Sequence, residues 1–380
     1  MEKKKKTLLD YRDELDAIDT AILERFEERM AVCEQIAELK SEEGRPVQDR
    51  EREKEKIAAL CGKCADEDMK EDVAELFEQI ISLSRRMQYQ VMAQKGIIGA
   101  IPFEMLPTIP RKKSRVVYQG VEGAYSHAAA LEYFGADANC FNVKTFDEAM
   151  KAICGGIADY AVLPIENSRA GQVGDVYDLL MHYDNYIVAE TYLSVNHVLL
   201  GLPGASKEGI RRIYSHPQGL LQCSDYLEER RDVDTISVAN TAVAAKKVVD
   251  DGDPSQGAIA RATCAELYGL EILDDDIVDY KDNTTRFIIV SSKKVYSEDA
   301  SKISVVFEAS HQTGSLYRLL SHIIHNGLNM TKIESRPVPG KAWEYRFFVD
   351  FDGNLSEAGV KNALRGILQE AIYFKILGNY

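Results

Sequence analysis

Residues 8–40 read LLDYRDELDAIDTAILERFEERMAVCEQIAELK, a stretch with neither glycine nor proline. Its apolar residues recur at the heptad-like spacing of a helix with one apolar face, at Leu8, Leu15, Ile18, Ile22 and Ile36. At about 1.5 Å per residue the predicted helix is roughly 50 Å long, more than a small domain is wide. The sequence therefore predicts a helical bundle that is completed by a second copy of itself.

Two further helices complete the N-terminal region. Gly44-Arg45-Pro46 ends the first helix, a charged second helix is predicted from about Asp49, and a third over residues 71–93. We expect this all-α domain to cover residues 1–94. Residues 95–113 contain several glycines and prolines without periodicity, and the pattern favours a linker.

Beyond that segment, apolar runs typical of buried strands alternate with helical patterns. Strands are predicted at residues 115–119, 160–164, 186–189 and 287–290, and helices at residues 147–154 and 241–249. Alternation of this kind predicts an α/β domain, which we place at residues 114–292.

Residues 302–380 have a different order of elements. A strand from Ile303, a helix near residues 315–325, two strands near residues 329–336 and 345–350 and another helix are predicted. That order is like βαββαβ, so a small α+β module is expected to end the chain.

Composition narrows the functional classes. The 380 residues are 45% hydrophobic and 28% charged, which fits a globular chain of two or three domains. No apolar run of membrane length and no signal-peptide core occurs, and the seven scattered cysteines fit reduced thiols, so a cytoplasmic location is expected. Cys61 and Cys64 have redox or zinc spacing, but without a second pair or a nearby histidine they predict no metal.

The net charge of the chain limits the kinds of partner that it can bind. A formal net charge of -15 argues against nucleic acid and anionic membranes as partners. An acidic protein that binds an anion needs a few deliberately placed cations, so cations on apolar faces are informative. Arg29 and Lys40 are such cations, because their spacing from Ile22 returns them to within about 20° of the same helix face. Arg12 lies too far along the helix to join them, except from a second chain.

The second and third helices add polar groups to this interior. Asp49, Arg52 and Glu53 are spaced i, i+3, i+4, and Ser84 and Gln88 are spaced i, i+4. Several cations with an amide, and no cysteine or histidine among them, suit an anion better than a metal. The alternative is that the cations extend to the surface, that the charges are a solvated run and that Ser84 only packs.

The N-terminal pattern resembles the all-helical chorismate mutase family over residues 8–94. The residues that carry the resemblance are Leu9-Asp-Tyr-Arg12-Asp, Asp19, Glu28-Arg29, Lys40 and Arg45-Pro-Val-Gln-Asp49-Arg-Glu-Arg52-Glu53. The resemblance implies an intertwined dimer in which Arg29, Ser84 and the partner subunit's Arg12 hold the two carboxylates of chorismate.

By the same resemblance, Lys40 and Gln88 donate to the ether oxygen, Glu53 and Asp49 meet the hydroxyl, and Arg52 supports the site. The chemistry agrees with fixed cations and amides. A Claisen rearrangement uses no nucleophile and no proton transfer, so catalysis consists of holding the reactive conformer and stabilising charge on the breaking bond.

Four polar clusters lie beside apolar runs in the α/β region: Gly120–His127, Glu166-Asn167-Ser168, Ser215-His216-Pro217-Gln218 and Thr284-Thr285-Arg286-Phe287. The glycine-bearing first cluster offers backbone N–H groups to an anion or is a tight structural turn. The second follows a predicted strand, at the usual ligand crevice of an α/β sheet. His216 by itself is more typical of a structural histidine beside a turn.

In this order and spacing the clusters look like prephenate dehydratase, over residues 114–292. The resemblance implies a two-lobed fold like that of periplasmic binding proteins, catalysis by Thr285, and no metal or cofactor. It implies substrate contacts at Ser126, Glu166, Asn167, Ser168, Ser215, Gln218, Thr284, Arg286 and Phe287. Arg286 is a plausible carboxylate anchor and Thr285 a donor to the departing hydroxyl. The proton's source stays open between Glu166, His127 and a water.

The last module resembles an ACT domain. Gly314-Ser315-Leu316 begins a predicted helix, where an α-carboxylate binds well, and Glu334-Ser335-Arg336 follows the next strand. Both motifs resemble those that the family uses for phenylalanine. The alternative is a module that only dimerises.

Together these resemblances imply a bifunctional enzyme of L-phenylalanine biosynthesis. It would convert chorismate to prephenate and then to phenylpyruvate, as a homodimer or larger assembly that L-phenylalanine inhibits. Two alternatives remain: a sensor of amino acids or small anions that has lost the chemistry, and a dehydratase whose helical segment is only a dimerising arm.

Overall fold

The computed structural model describes residues 6–95, 101–341 and 343–380. Their contacts divide the chain into two compact units. One comprises residues 1–101, 307–347 and 355–374, and the other comprises residues 102–306, 348–354 and 375–380.

The N-terminal region of the first unit is all-helical, as predicted. Its helices are α1 (Leu8–Glu43), α2 (Arg50–Cys61) and α3 (Lys70–Gln94). Thr7 and Asp10 form a capping box that satisfies backbone N–H groups at the start of α1. Gly44 ends α1 at φ 67°, a left-handed conformation that glycine adopts without steric cost.

The first half of α1 leaves its apolar face uncovered in the single chain. Leu8, Leu15, Ile18 and Ile22 are each at least 55% exposed. Further along, Cys33 and Ala37 of the same helix are buried. A contiguous apolar stripe of this length is unfavourable in water and marks a surface for another protein chain.

The second unit is built mainly from strands and short helices. The strands are β1 (Glu104–Leu106), β2 (Arg115–Gln119), β3 (Asn139–Val143), β4 (Tyr160–Asn167), β5 (Gly171–Gln172), β6 (Tyr186–Ser194), β7 (His197–Gly201), β8 (Arg212–Ser215), β9 (Asp234–Ser237), β10 (Gln256–Arg261), β11 (Glu271–Asp274), β12 (Thr284–Ser291) and β13 (Val295–Ser297). The helices are α4 (Tyr125–Phe134), α5 (Phe146–Cys154), α6 (Gly174–His182), α7 (Pro217–Leu221), α8 (Ser224–Glu228), α9 (Thr241–Asp251) and α10 (Thr263–Tyr268).

These strands form one sheet in each lobe of the unit, and β1 and β13 form a separate two-stranded sheet. The first lobe has the order β6-β12-β4-β2-β3 and the second has the order β11-β7-β10-β8-β9. The chain passes from the first lobe to the second after β6 and returns before β12. Thr285 lies at the returning connection, near the start of β12.

β12 is the central element of the first lobe. It pairs antiparallel with β4 on one edge and with β6 on the other, and Thr285 is opposite Asn167. The register with β4 shifts between Arg286 and Phe287, which is a β-bulge. Bulges next to active sites commonly re-aim a side chain.

The predicted linker differs from the observed structure in part. Within residues 101–113, β1 pairs in parallel with β13, and Ile109 is buried in the core of the first lobe. These residues belong to the second unit rather than to a free spacer. The prolines hide any strand periodicity in the sequence, so only the packing reveals the strand.

The C-terminal module has the predicted order. Its elements are β14 (Lys302–Glu308), α11 (Ser315–Ile324), β15 (Met330–Pro337), β16 (Tyr345–Asp352), α12 (Ala358–Glu370) and β17 (Tyr373–Asn379). The strands are arranged β15-β16-β14-β17. The residues of the last strand, β17, were not identified from the sequence. Across the described residues, no helix combines the length and apolarity needed to cross a bilayer.

Ile289 tests the core of the first lobe, because it lies on β12 with no exposed surface. We expect Ile289→Ala to lower the free energy of unfolding of this unit by about 2–5 kcal/mol, through lost burial and the cavity left behind. Ile272→Ala, on β11 and 48% exposed, is the control and should cost far less. Urea unfolding followed by circular dichroism makes the comparison, and equal costs would contradict the packing described.

Candidate functional sites

Arg29, Ser84 and Lys40 of the helical region lie around one polar interior. Arg29 donates to the Ser84 hydroxyl and, at 3.5 Å, to the Ile80 carbonyl. Ser84 is buried and also donates to the Ile80 carbonyl at 2.7 Å. Arg29 of α1 and Ser84 of α3 are therefore brought together, as the sequence predicted.

The Lys40 ammonium is half-buried at the other end of this interior. It donates to the Val47 carbonyl at 2.5 Å. Burial lowers the pKa of Lys40, while the nearby carboxylates of Asp49 and Glu53 act in the opposite direction. Asp49 also caps α2 by accepting from the Arg52 backbone N–H at 3.1 Å. A partly desolvated cation at this place suits an anionic ligand.

Arg85 is the residue that sequence analysis missed. It is buried on α3, and its Nη1 donates to Glu53 Oε2 at 2.6 Å. Its Nη2 lies 2.8 Å from Oε1 of Glu370, on α12. Burial raises the pKa of Glu53 and the Arg85 guanidinium opposes that rise. The i, i+4 spacing of Ser84 and Gln88 identifies one face of the helix, and Arg85 lies next to that face and not on it.

The remaining predicted residues of this site do not all join the cluster. Gln88 is buried, and its side-chain oxygen has no hydrogen-bond partner within the described part of the chain. Arg52 is exposed, 3.8 Å from Glu55. Arg12 is exposed and lies 17 residues before Arg29, about 25 Å along α1. Within one chain Arg12 therefore does not join the cluster.

A second cluster surrounds Thr285, whose side chain is at the start of β12. Asn167 Nδ2 donates to Thr285 Oγ1 at 2.9 Å and to Asn283 Oδ1 at 2.8 Å. Because the threonine oxygen accepts a hydrogen bond from Asn167, its own hydrogen is available for a ligand. Thr285 is 9% exposed, so such a ligand would be largely desolvated. Asn283 was not predicted, although it directly precedes the Thr-Thr-Arg run.

Ser168 and Thr284 fasten the two strands at this point. The Ser168 N–H donates to the Thr284 carbonyl at 2.8 Å, and the Thr284 N–H donates to Ser168 Oγ at 3.0 Å. The structure thus brings together Asn167, Ser168, Thr284 and Thr285, four of the predicted residues.

Arg286 requires a correction. Successive residues of a strand point to opposite faces, so its side chain lies on the other side of β12 from Thr285. Its guanidinium donates to Glu190 and Asp350, and Glu166 lies 3.9 Å away on that same side. Arg286 is therefore not an anchor for a carboxylate held at Thr285. Glu166 likewise does not face the Thr285 hydroxyl as a proton source.

Phe287 and Ser215 are corrected for a related reason. Phe287 is completely enclosed in the apolar core of the first lobe. Ser215 is fully buried and donates to the Ile259 carbonyl at 2.7 Å. Both side chains stabilise the fold rather than face a ligand. The prediction was wrong because the pattern of polar clusters does not show which side of each strand faces the core.

The other predicted contacts lie on helix N-termini. Ser126 is buried in the first turn of α4, and Gln218 is half-buried in α7, where the His216 ring accepts from the Gln218 N–H at 3.1 Å. His127 Nδ1 accepts from the Gly123 N–H at 3.2 Å, which leaves the proton on Nε2. Burial lowers the pKa of His127, so its ring is neutral near pH 7.

The two predicted effector motifs lie on different elements of the C-terminal module. Gly314, at φ 74°, precedes α11, and Ser315 Oγ donates to the Ser310 carbonyl at 2.5 Å, with Leu316 following. Glu334, Ser335 and Arg336 are on β15, the strand next to β16 and not next to β14. One motif is thus at the start of a helix and the other on a strand.

Both domains match known families. Residues 11–89 match the family model "Chorismate mutase type II", and residues 116–295 match "Prephenate dehydratase". The helical and α/β regions are thus a chorismate mutase and a prephenate dehydratase domain. The chain belongs to the bifunctional chorismate mutase/prephenate dehydratase family, being 32% identical to the Aquifex aeolicus (strain VF5) member over 98% of this chain and 97% of that relative.

Solved structures resemble part of this chain. The prephenate dehydratase from Arthrobacter aurescens, in complex with L-Phe, is 30% identical with a TM-score of 0.65, over 70% of this chain and 89% of that one. GqqA, described as a quorum quenching acylase, is 33% identical with a TM-score of 0.63, over 70% of this chain and 96% of that one. This chain is similar to both in fold.

Arg85→Gln tests whether Arg85 keeps Glu53 ionised. Arg85 opposes the burial that raises the pKa of Glu53, so removing the guanidinium moves that pKa further upward. We expect kcat/KM of the mutase reaction to fall at a higher pH in the variant than in the unaltered protein as the solution is acidified. Arg86→Gln is the control, because Arg86 donates to the His325 carbonyl instead. An unchanged acid limb would disprove the role.

Proposed function

We propose that the enzyme rearranges chorismate to prephenate at the Arg29–Lys40 cluster and converts prephenate to phenylpyruvate, carbon dioxide and water at Thr285. The observation that carries the proposal is the pair of separate polar clusters, each within the part of the chain that its family model covers. As domain bounds we propose residues 1–94, 114–292 and 302–380, with residues 102–113 packed onto the second of these domains.

In the mutase reaction, Arg29 and Ser84 hold one carboxylate of chorismate, and the partner subunit's Arg12 holds the other. Lys40 and Gln88 donate to the ether oxygen as its bond to carbon breaks. Preorganised donors are effective because charge develops on that oxygen only in the transition state. The buried position of Gln88 and the half-buried Lys40 ammonium support this role.

Glu53 and Asp49 accept from the substrate hydroxyl, with Arg52 nearby in support. The Arg85 guanidinium holds Glu53 by a short hydrogen bond, which supports an ionised and fixed acceptor. No group of the protein gains or loses a proton in this reaction, so fixed geometry is the whole requirement.

In the dehydratase reaction, Thr285 donates a hydrogen bond to the departing hydroxyl while the ring becomes aromatic. The Asn167 hydrogen bond to Thr285 Oγ1 supports that polarity, because it leaves the threonine hydrogen free. Since Arg286 faces away, we assign the substrate's carboxylate to the N-terminus of α4 beside Ser126. The Ala124 cap of that helix makes no side-chain hydrogen bond, so no cap side chain competes with an anion for the first N–H groups of α4.

L-Phenylalanine is the proposed effector of the C-terminal ACT-type module. The Arthrobacter aurescens relative was solved with L-Phe bound, and α11 offers an N-terminus for an amino-acid carboxylate. The second motif, on β15, is best supplied by another chain. A homodimer in the cytoplasm belongs to the same proposal, supported by the uncovered apolar face of α1.

Two variants separate the sites. We expect Lys40→Ala to lower mutase kcat by about 10²–10³-fold and to leave the dehydratase unchanged, because one transition-state donor is lost. Thr285→Ala should lower dehydratase kcat by about 10²–10⁴-fold and spare the mutase, while Thr285→Ser keeps the hydroxyl and should retain more activity.

The assay supplies chorismate or prephenate to the purified protein and follows chorismate loss and phenylpyruvate formation, with and without L-phenylalanine. Loss of both activities in either single variant would contradict separate sites. Binding of L-phenylalanine without turnover of either substrate by the unaltered protein would favour a sensor. Turnover of prephenate alone would make the helical domain a dimerising arm.

Mixing two inactive variants tests whether Arg12 acts across a dimer. In a dimer of Arg12→Ala with Lys40→Ala, one site carries both changes and the other carries neither. Random exchange should therefore restore mutase activity to about a quarter of that of the unaltered protein. The control mixes Arg29→Ala with Lys40→Ala. Each of these changes disables the site of the chain that carries it, so neither site of the mixed dimer is intact. Equal activity in the two mixtures would disprove sharing.

A further inference from the structure

The guanidinium of Arg286 is held on three sides. Its Nε donates to Glu190 Oε2 at 2.7 Å, its Nη1 to Asp350 Oδ2 at 2.9 Å and its Nη2 to Tyr380 Oη at 2.8 Å. The Arg286 side chain is only 10% exposed. Each of its three nitrogens thus has a partner inside the protein.

The partners of Arg286 are themselves connected. Ser304 Oγ donates to Asp350 Oδ1 at 2.5 Å and lies 2.6 Å from Tyr380 Oη. Lys302 Nζ donates to Glu190 Oε1 at 2.5 Å. Two cations and two carboxylates therefore share one buried network with two hydroxyl groups. Buried charges of this kind are tolerated only when all are paired, so the geometry of each member depends on the others.

The network joins the dehydratase domain to the C-terminal module. Arg286 and Glu190 come from β12 and β6, strands of the dehydratase domain. Asp350 lies on β16, and Tyr380 follows β17, in the C-terminal module. Ser304 and Lys302 are on β14, which runs on along the chain toward Gly314. Three strands of the proposed effector module therefore converge on a single dehydratase side chain.

Arg286 is adjacent to Thr285 on β12, and the register with β4 shifts directly after it, where β4 carries the extra residue Ile165. The two side chains occupy opposite faces of the strand, so the backbone transmits any displacement of one to the other. The hydrogen bond between Asn167 and Thr285 depends on that local geometry. A misplacement of about 1 Å in a catalytic group can cost about 10²-fold in rate.

We infer that Arg286 is a positioning residue for Thr285, and that Asp350 and Tyr380 make the C-terminal module part of the dehydratase site. The inference rests on the proposed roles of Thr285 and of the effector module. Effector binding then alters the dehydratase in two steps. A shift of β14 or β16 changes how Arg286 is held, and the movement of Arg286 displaces Thr285. An effector acts through such a route only if its affinity differs between the two positions of Arg286 and Thr285.

Asp350→Asn and Tyr380→Phe test the route with little change in volume. Asp350→Asn removes the negative charge that Arg286 Nη1 contacts, and Tyr380→Phe removes the acceptor of Arg286 Nη2. Neither change touches a residue assigned to prephenate. We expect dehydratase kcat to fall about 10- to 100-fold with KM for prephenate within about twofold. The concentration of L-phenylalanine that halves dehydratase activity should rise at least about tenfold, while its Kd by calorimetry stays unchanged.

The matched control is Asp352→Asn, the same substitution two residues further along β16 at an exposed position. It should leave dehydratase kcat and the L-phenylalanine response unchanged. Mutase kcat in the same preparations should stay constant in all three variants, and an unchanged circular dichroism spectrum reports that the altered unit is folded. Should Asp350→Asn fail to fold, Tyr380→Phe, which loses only one hydroxyl, carries the test.

Wild-type kcat and an unaltered L-phenylalanine response in both variants would overturn the inference. So would an Arg286→Lys variant with raised KM for prephenate and unchanged kcat, since that pattern identifies a substrate ligand. Failure of the proposed function has a different signature, namely full dehydratase activity in Thr285→Ala. If L-phenylalanine does not inhibit the unaltered protein, the proposed effector is wrong, and the kcat arm still decides the positioning role.

Discussion

The alternation of side chains along β12 is the constraint on which the dehydratase half depends. β12 is paired on both edges, so its backbone groups are satisfied and its register with β4 and β6 is set. With that register, Thr285 meets Asn167 on one face while Arg286 meets buried carboxylates on the other. One strand thus carries a catalytic candidate and a structural ion network as consecutive residues.

The cations of these clusters divide into two groups according to their partners. Arg85 and Arg286 are matched by internal carboxylates, Glu53 and Glu370 for the first and Glu190 and Asp350 for the second. Burying them unpaired would be prohibitive, so these arginines organise the protein. Arg29 and Lys40 instead contact a hydroxyl and a carbonyl, which leaves positive charge to attract an anion.

Much of the fold was predictable, and so was the mutase cluster. The three N-terminal helices begin and end within a few residues of their predicted bounds, because glycine, proline and capping residues punctuate a strong helical period. Arg29 and Ser84 meet as predicted. β1 and β17 were not identified, since neither a proline-rich segment nor a seven-residue apolar tail after a helix has a distinctive period.

The sequence by itself determined the helical, α/β and α+β character of the three regions and the cations that could bind an anion, because these follow from periodicity and residue spacing. The Asn167–Thr285 contact depends on the strand register that the structure shows. Only the tertiary structure decided that Arg286, Phe287 and Ser215 face away from any ligand. It also revealed the partners of Arg85 and Arg286, which lie far from them in the sequence, as Asp350 lies 64 positions from Arg286. Local spacing cannot specify which carboxylate neutralises a buried cation, because long-range strand and helix packing makes that choice.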